Sequence, residues 1–174
     1  SFLKNTLKKI DKFTYISETI KEDLIKLGIE KQKLIYFPNC VNIEKFEKIK
    51  IEKDQNNKVL NFITVARFAE KKKGFDLIQE ICSKLIDKKI GFKWKIIGEN
   101  SELLFKNKFI NSNLHLFDIK ENIGNVDEDF FPHSNLINQY KSSDLYLNLS
   151  RIESFGITFI EALASKTPII SFDG

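Results

Sequence analysis

The chain has 174 residues, 42% of them apolar and 30% charged. That is room for one domain or one domain with a piece of another, at ordinary globular composition. Three Pro and seven Gly exclude a fibrous or disordered chain, and no uninterrupted apolar run approaches the roughly eighteen residues of a membrane-spanning helix. The net charge of +4, from 28 basic and 24 acidic residues, is too small and too dispersed for a nucleic-acid binder. The basic set is 26 Lys and two Arg, Arg67 and Arg151.

The first residue is Ser and no Met occurs, which reads as a fragment or a processed chain, without a signal-peptide pattern. Phe2, Leu3, Leu7, Ile10 and Phe13 recur at helical spacing, with Lys4, Lys8, Lys9 and Lys12 largely opposite. Residues 13–17 are strand-like. Ser17 precedes a helix whose face is Ile20, Leu24, Ile25 and Leu27, with Gly28 as its stop. Residues 34–37 form a short strand ending at Pro38. Residues 44–58, polar and rich in Lys and Asn, read as a linker or exposed connection.

Residues 59–65 are a strong strand, 75–85 a helix, and 92–97 a strand stopping at Gly98. Ser101 can cap a helix over 102–110. Residues 114–117 read as a strand and 118–132 as an acidic, unperiodic loop. Ser134 can cap a helix through Tyr140. Residues 144–149 are a strand, 156–165 a helix and 168–172 a strand. Strand and helix thus alternate at least four times from residue 59, and the strands are continuous apolar runs. This predicts an α/β fold, a Rossmann-like parallel sheet with helices on both faces. Ligands of such sheets bind outside the carboxyl ends of the strands.

At one such end Arg67 follows the strand, and Lys73 and Gly74 stand at the start of the next helix. A fixed guanidinium fork, a mobile ammonium and a helix N-terminus suit a phosphate or diphosphate. A solvated Lys run beside an ordinary Arg has the same pattern. Residues 157–164 form a helix apolar nearly all round, so the carboxylate of Glu161 needs a partner there. Helical side chains lean toward the N-terminus, which aims Glu161 back at Glu153-Ser154-Phe155-Gly156. Glu153 and Glu161 would then accept hydroxyls of a sugar or ribose. A structural bond to a backbone N–H or a Lys is the other reading of Glu161.

No G-x-G-x-x-G follows a strand and no G-x-x-x-x-G-K-[ST] occurs, which argues against a nicotinamide dehydrogenase and a P-loop NTPase. Cys40 and Cys82 are far apart and the two His are not clustered, so no zinc site is predicted; a reducing cytoplasm fits. His115 and His133 form no triad with a Ser or Cys. His133 reads as structural, and Trp94 and Cys82 read as core.

These residues resemble the group-1 (family 4) glycosyltransferases of the two-domain GT-B fold, in their C-terminal, donor-binding domain. Residues 153–161 look like the family's Glu, seven residues, Glu signature. Residues 144–150 and 168–174 are similar to the strands on either side of it. Arg67 with Lys73-Gly74 resembles its phosphate-binding pair, residues 96–100 its strand-end Gly-acid-Gly turn, and residues 37–41 its Pro-Asn-Gly-Val segment. Cys40 stands where the family usually has Gly, Asn100 replaces the second Gly of the turn, and the stretch 118–135 is longer than usual.

The resemblance implies residues 1–17 as the tail of an N-terminal domain or an interdomain helix, and residues 18–174 as an incomplete Rossmann-like donor-binding domain, truncated at its C-terminus. It implies Glu153, Arg67 and Lys73 as catalytic residues, with Arg67 and Lys73 on the donor diphosphate and Glu153 facing the transferred sugar. Glu161, Ser154, Phe155, Gly156, Ile157 and Gly98 would bind the donor, Glu161 through the ribose. The reaction implied is retaining glycosyl transfer from a nucleotide-diphosphate sugar with no metal and no cofactor, for cell-surface polysaccharide or lipopolysaccharide synthesis. The acceptor, a glycan or lipid-linked sugar, would be held by the absent N-terminal domain, so this chain alone would not transfer. The implied location is the cytoplasm, extending to the inner face of the cell membrane by peripheral association of the full enzyme. The alternative is a non-catalytic sugar-nucleotide-binding module.

Overall fold

The short apolar runs pair as parallel strands in two compact units, one comprising Ser1–Cys40 and Glu153–Ile157, the other Val41–Ile152 and Thr158–Gly174. The computed structural model describes residues 6–7, 9–53, 58–68, 71–123, 131–153 and 155–171. In the first unit β1 (Phe13–Tyr15) and β2 (Leu34–Tyr36) are parallel, with Phe13 opposite Leu34 and Tyr15 opposite Tyr36. Helix α1 (Glu18–Lys26) connects them; Ser17 Oγ accepts from the Ile20 amide at 3.4 Å and caps it. Gly28, at φ 91°, follows its end.

The second unit is a five-stranded parallel sheet. In chain order its elements are α2 (Ile43–Lys48), β3 (Leu60–Val65), α3 (Ile78–Asp87), β4 (Phe92–Ile97), α4 (Lys108–Ser112), β5 (Phe117–Lys120), α5 (Ser134–Lys141), β6 (Leu145–Asn148), α6 (Ile157–Ala164) and β7 (Ile169–Ser171). The strand order is β5-β4-β3-β6-β7. Alternate strand residues face opposite sides, and each side is buried. Phe62, Trp94, Ile96 and Leu147 pack with Ile78 and Cys82 of α3 and Ile110 of α4. Ile63, Ile97 and Tyr146 pack with Leu136 and Tyr140 of α5 and Ala162 of α6. The predicted sheet with helices on both faces is therefore present. Trp94 and Cys82 are fully buried, as the apolar pattern requires. A polar thread crosses the first face: Trp94 Nε1 donates to Thr64 Oγ1 at 3.0 Å, and Thr64 Oγ1 donates to the Leu147 carbonyl at 2.8 Å.

Four local expectations are corrected. The connection over 44–58 contains α2, in which Phe46 is completely buried among Glu and Lys and Asn42 Oδ1 caps the Lys45 amide. Ser101 does not cap an α-helix. It opens a 3-10 helix, Ser101–Lys106, after Asn100 turns the chain at φ 62°; the α-helix beyond is capped by Asn107. Residues 114–116 are a 3-10 turn and the strand begins at Phe117, so the loop predicted from 118 gives β5 its last three residues. Ser134 is the first residue of α5, with His133 in the cap position. Residues 124–130 of that predicted loop lie outside the described residues.

Candidate functional site

β3 and β6 are neighbours although the chain visits β4 and β5 between them. The sheet winds outward one way from β3 and then the other way from β6. At such a switch point the connections leave the two strands toward opposite sides, and a crevice opens outside their carboxyl ends. Several residues singled out in the sequence stand there.

Two glycines shape this end by close backbone approach. Gly74 follows the 3-10 turn Lys71–Lys73 at φ 68°, and a Cβ on it would lie 1.9 Å from the Leu149 carbonyl oxygen beyond β6. Gly98, at φ 140°, would bring a Cβ to 1.9 Å from the Ala66 carbonyl oxygen. Both positions exclude any side chain. Asn100 takes the left-handed turn that the missing second Gly would have supplied, as Asn can.

Backbone bonds fasten these loops together. The Arg151 amide donates to the Lys72 carbonyl at 2.7 Å, and the Phe68 amide to the Glu99 carbonyl at 2.8 Å. Both arginines are at this end, each on an acid from a neighbouring loop. Arg67 Nε meets Glu99 Oε2 at 2.8 Å. The Arg151 fork grips Asp76, Nη1 to Oδ1 at 2.9 Å and Nη2 to Oδ2 at 2.8 Å, and Asp76 stands just ahead of α3. Both pairs are exposed, so water screens them and an anionic ligand can compete for the guanidinium. Lys73 is half-buried in the same loop. Arg67, Lys73 and Gly98 are thus brought to one end of the sheet. Arg151, Glu99 and Asp76 were not singled out as site residues; the scarcity of Arg was the signal for Arg151.

Glu161 is 5% exposed on α6. Its Oε2 accepts from the Tyr140 hydroxyl at 3.0 Å, a partner the sequence reading did not name. Burial pushes the carboxyl up to about 7, and the Tyr140 bond opposes that rise. Burial, reinforced by Glu161, likewise holds the Tyr140 phenol well above its ordinary range. The remaining signature residues belong to the first unit: Glu153 is exposed, Phe155 half-buried, Gly156 buried at φ 69° and Ile157 37% exposed. Ser154 lies outside the described residues. Among the described residues no group of three or more His, Cys, Asp or Glu is placed to hold a metal ion, and no helix is long and apolar enough to cross a membrane.

The chain matches the family described as glycosyl transferases group 1 over residues 44–174. No curated protein matches it. Among solved structures it is similar to the pneumococcal O-GlcNAc transferase GtfA in complex with UDP and GlcNAc, at 22% identity and TM-score 0.69, covering 99% of this chain and 32% of that one. It is also similar to WaaG, a glycosyltransferase involved in lipopolysaccharide biosynthesis, at 14% identity and TM-score 0.67, covering 92% of this chain and 44% of that one. A third is Anabaena Alr3699/HepE in complex with UDP and glucose, at 13% identity and TM-score 0.61, covering 92% and 44%. The chain therefore spans a third to under half the length of these proteins, and shares the fold of the GT-B glycosyltransferases.

Proposed function

The chain belongs to the group 1 glycosyl transferases, and on that premise we propose that it is the donor-nucleotide-sugar-binding part of a retaining glycosyltransferase, acting in cell-surface polysaccharide or lipopolysaccharide synthesis. The observation that carries this reading is the convergence of Arg67, Lys73 and Gly98 at the carboxyl end of the sheet, where β3 and β6 change winding direction. A doubly wound sheet takes nucleotides at that place, and here its two arginines are held by weak, exposed ion pairs. Structural neighbours that carry UDP with GlcNAc or glucose support the ligand class.

In this reading Arg67 and Lys73 hold the donor diphosphate, Arg67 by its planar fork and Lys73 as a point charge. Glu161 accepts hydrogen bonds from the ribose hydroxyls. Glu153 faces the transferred sugar, and the chain around Ser154, Phe155, Gly156 and Ile157 contacts sugar and phosphate. When the bond from the anomeric carbon to the diphosphate oxygen breaks, negative charge collects on the departing phosphate. Fixed cations stabilise that charge in the transition state, supplying without a metal what a divalent ion supplies elsewhere. The acceptor hydroxyl oxygen then bonds the anomeric carbon on the face the phosphate left, and its proton passes to the departing phosphate oxygen. The acceptor, a glycan or lipid-linked sugar, is positioned by an N-terminal domain, with residues 1–17 as its tail or an interdomain helix, and rate enhancement depends on that positioning. The reaction is cytoplasmic, with the full enzyme at the inner membrane face.

Calorimetric titration of the chain with UDP, GDP and ADP, each with and without a chelator, tests this. Saturable binding of at least one, unchanged by chelator and lost in the Arg67→Ala, Lys73→Ala double variant, is the expected result. No binding of any nucleoside diphosphate, or binding that the double variant retains, would overturn it.

A further inference from the structure

The carboxylate of Glu161 is held from behind by a side chain that the donor-binding reading does not use. Tyr140 is fully buried, and its hydroxyl donates to Glu161 Oε2 at 3.0 Å. One turn earlier on α6, Thr158 Oγ1 accepts from the Tyr146 hydroxyl at 2.7 Å. Residues three apart share a helix face, so two phenols address one face of α6. The two rings meet edge to face, 5.7 Å between centroids.

Tyr140 is itself fixed at both ends. Its carbonyl accepts from Thr167 Oγ1 at 2.8 Å and from the Ser143 amide at 3.0 Å. Its helix is tied to the sheet where Lys95 Nζ donates to Ser142 Oγ, the cap residue of α5, at 2.7 Å; a cation at a helix C-terminus is favourable. The phenol is therefore a preset donor, needing no rearrangement to engage the carboxylate.

A buried acid–phenol pair is a poor choice for stability alone, because apolar residues of the same volume avoid the desolvation. An ionised carboxylate accepts at both oxygens, and Tyr140 occupies Oε2, which leaves the acceptor capacity of Oε1. We propose that Tyr140 is a positioning residue for Glu161: it fixes the carboxylate so that Oε1 is presented to a hydroxyl of the bound donor nucleotide. This rests on the donor-binding reading of Glu161. It also makes Tyr140 the group that keeps Glu161 ionisable near neutrality, because its bond lowers a carboxyl that burial raises. Among the described residues the titratable group packed on this pair is Tyr146 from β6.

The experiment uses the 174-residue chain with Tyr140→Phe, Tyr146→Phe and Glu161→Gln. The Glu161 carboxyl is titrated by carbon NMR without ligand, and UDP affinity is measured from pH 6 to 9. In Tyr140→Phe the carboxyl midpoint is expected to rise, and UDP affinity at pH 7 to fall about tenfold, the size of one hydrogen bond to a charged group. Part of that loss should return as pH rises and Glu161 ionises. Tyr146→Phe should leave the midpoint in place, which separates positioning from general loosening of α6. An unchanged midpoint in Tyr140→Phe, or wild-type UDP affinity with an unchanged pH profile, would overturn the inference. If Glu161→Gln and wild type bind UDP equally while the Tyr140→Phe midpoint still rises, the donor role of Glu161 falls, and with it the presentation of Oε1 to the nucleotide.

Discussion

Replacing Glu161 with Gln isolates the charge of a buried carboxyl while keeping its shape and an oxygen for Tyr140. The folded-state carboxyl is raised from 4.5 to about 7, chiefly by burial. Below pH 4.5 the folded and unfolded chains both carry the proton, so nothing is lost. Between 4.5 and 7 the folded chain keeps it while the unfolded chain releases it, and stability falls as pH rises. Above 7 the loss is complete. At about 1.4 kcal/mol per pH unit of displacement, it reaches about 3 kcal/mol. Gln carries no such dependence, so the stability of Glu161→Gln relative to wild type should grow across pH 4.5–7 and level off above. For a chain of this length about 1 kcal/mol moves Tm by roughly 2–4 °C, so at pH 8 the variant should melt several degrees higher. Thermal melts of both proteins at half-unit steps from pH 4.5 to 8.5 are the assay. Parallel curves for the two, or a variant less stable than wild type at pH 8, would refute the argument that Glu161 is desolvated at a cost to the fold.

Arg67→Lys should weaken diphosphate binding by at least about tenfold despite the conserved charge, because an ammonium cannot replace a planar fork; calorimetry reads the difference. Thr64→Val removes a hydroxyl that Trp94 and the Leu147 carbonyl both use, and should destabilise the chain by about 2 kcal/mol or more in urea titrations. Gly98→Ala forces a Cβ to 1.9 Å from the Ala66 oxygen and should lose at least about 3 kcal/mol or fail to fold. Gly28→Ala meets nothing within 4 Å and should lose only the roughly 1–2 kcal/mol of its positive φ; comparable melts for the two variants would contradict this.

What was legible in the sequence was what local pattern encodes. β3 carries a buried run, Phe62-Ile63-Thr64, and β4 alternates buried Phe92 and Trp94 with Lys93 and Lys95 before Ile96-Ile97 and the stop at Gly98, so both read as strands, and the 92–97 strand was placed to the residue. The helix at 43–48 was not legible, because one anchor, Phe46, carries its burial and its other positions are charged apart from Ile43, which is exposed. The strand at 117–120 alternates half-buried and exposed residues and is preceded by a 3-10 turn, so the apolar Leu114 and Leu116 drew the prediction three residues early. At the candidate site, the need for a partner on Glu161 followed from a carboxylate in an apolar helix. The identity of that partner did not, because Tyr140 is 21 residues away in sequence and is brought there by the order of the strands. The same holds for Glu99 beside Arg67 and Asp76 beside Arg151: these are contacts between neighbouring strand ends, which no local period records.

The proposed function requires a nucleoside diphosphate outside the carboxyl ends of β3 and β6, and adding UDP to the isotope-labelled chain while following every assigned amide and side-chain resonance locates it. Saturable, fast-exchanging shifts are expected at Arg67, Lys73, Gly98 and Glu161, unchanged by chelator, with the amino ends of the strands silent. Shifts confined to residues away from that end of the sheet, or a spectrum unmoved by millimolar UDP and by GDP and ADP alike, would contradict it.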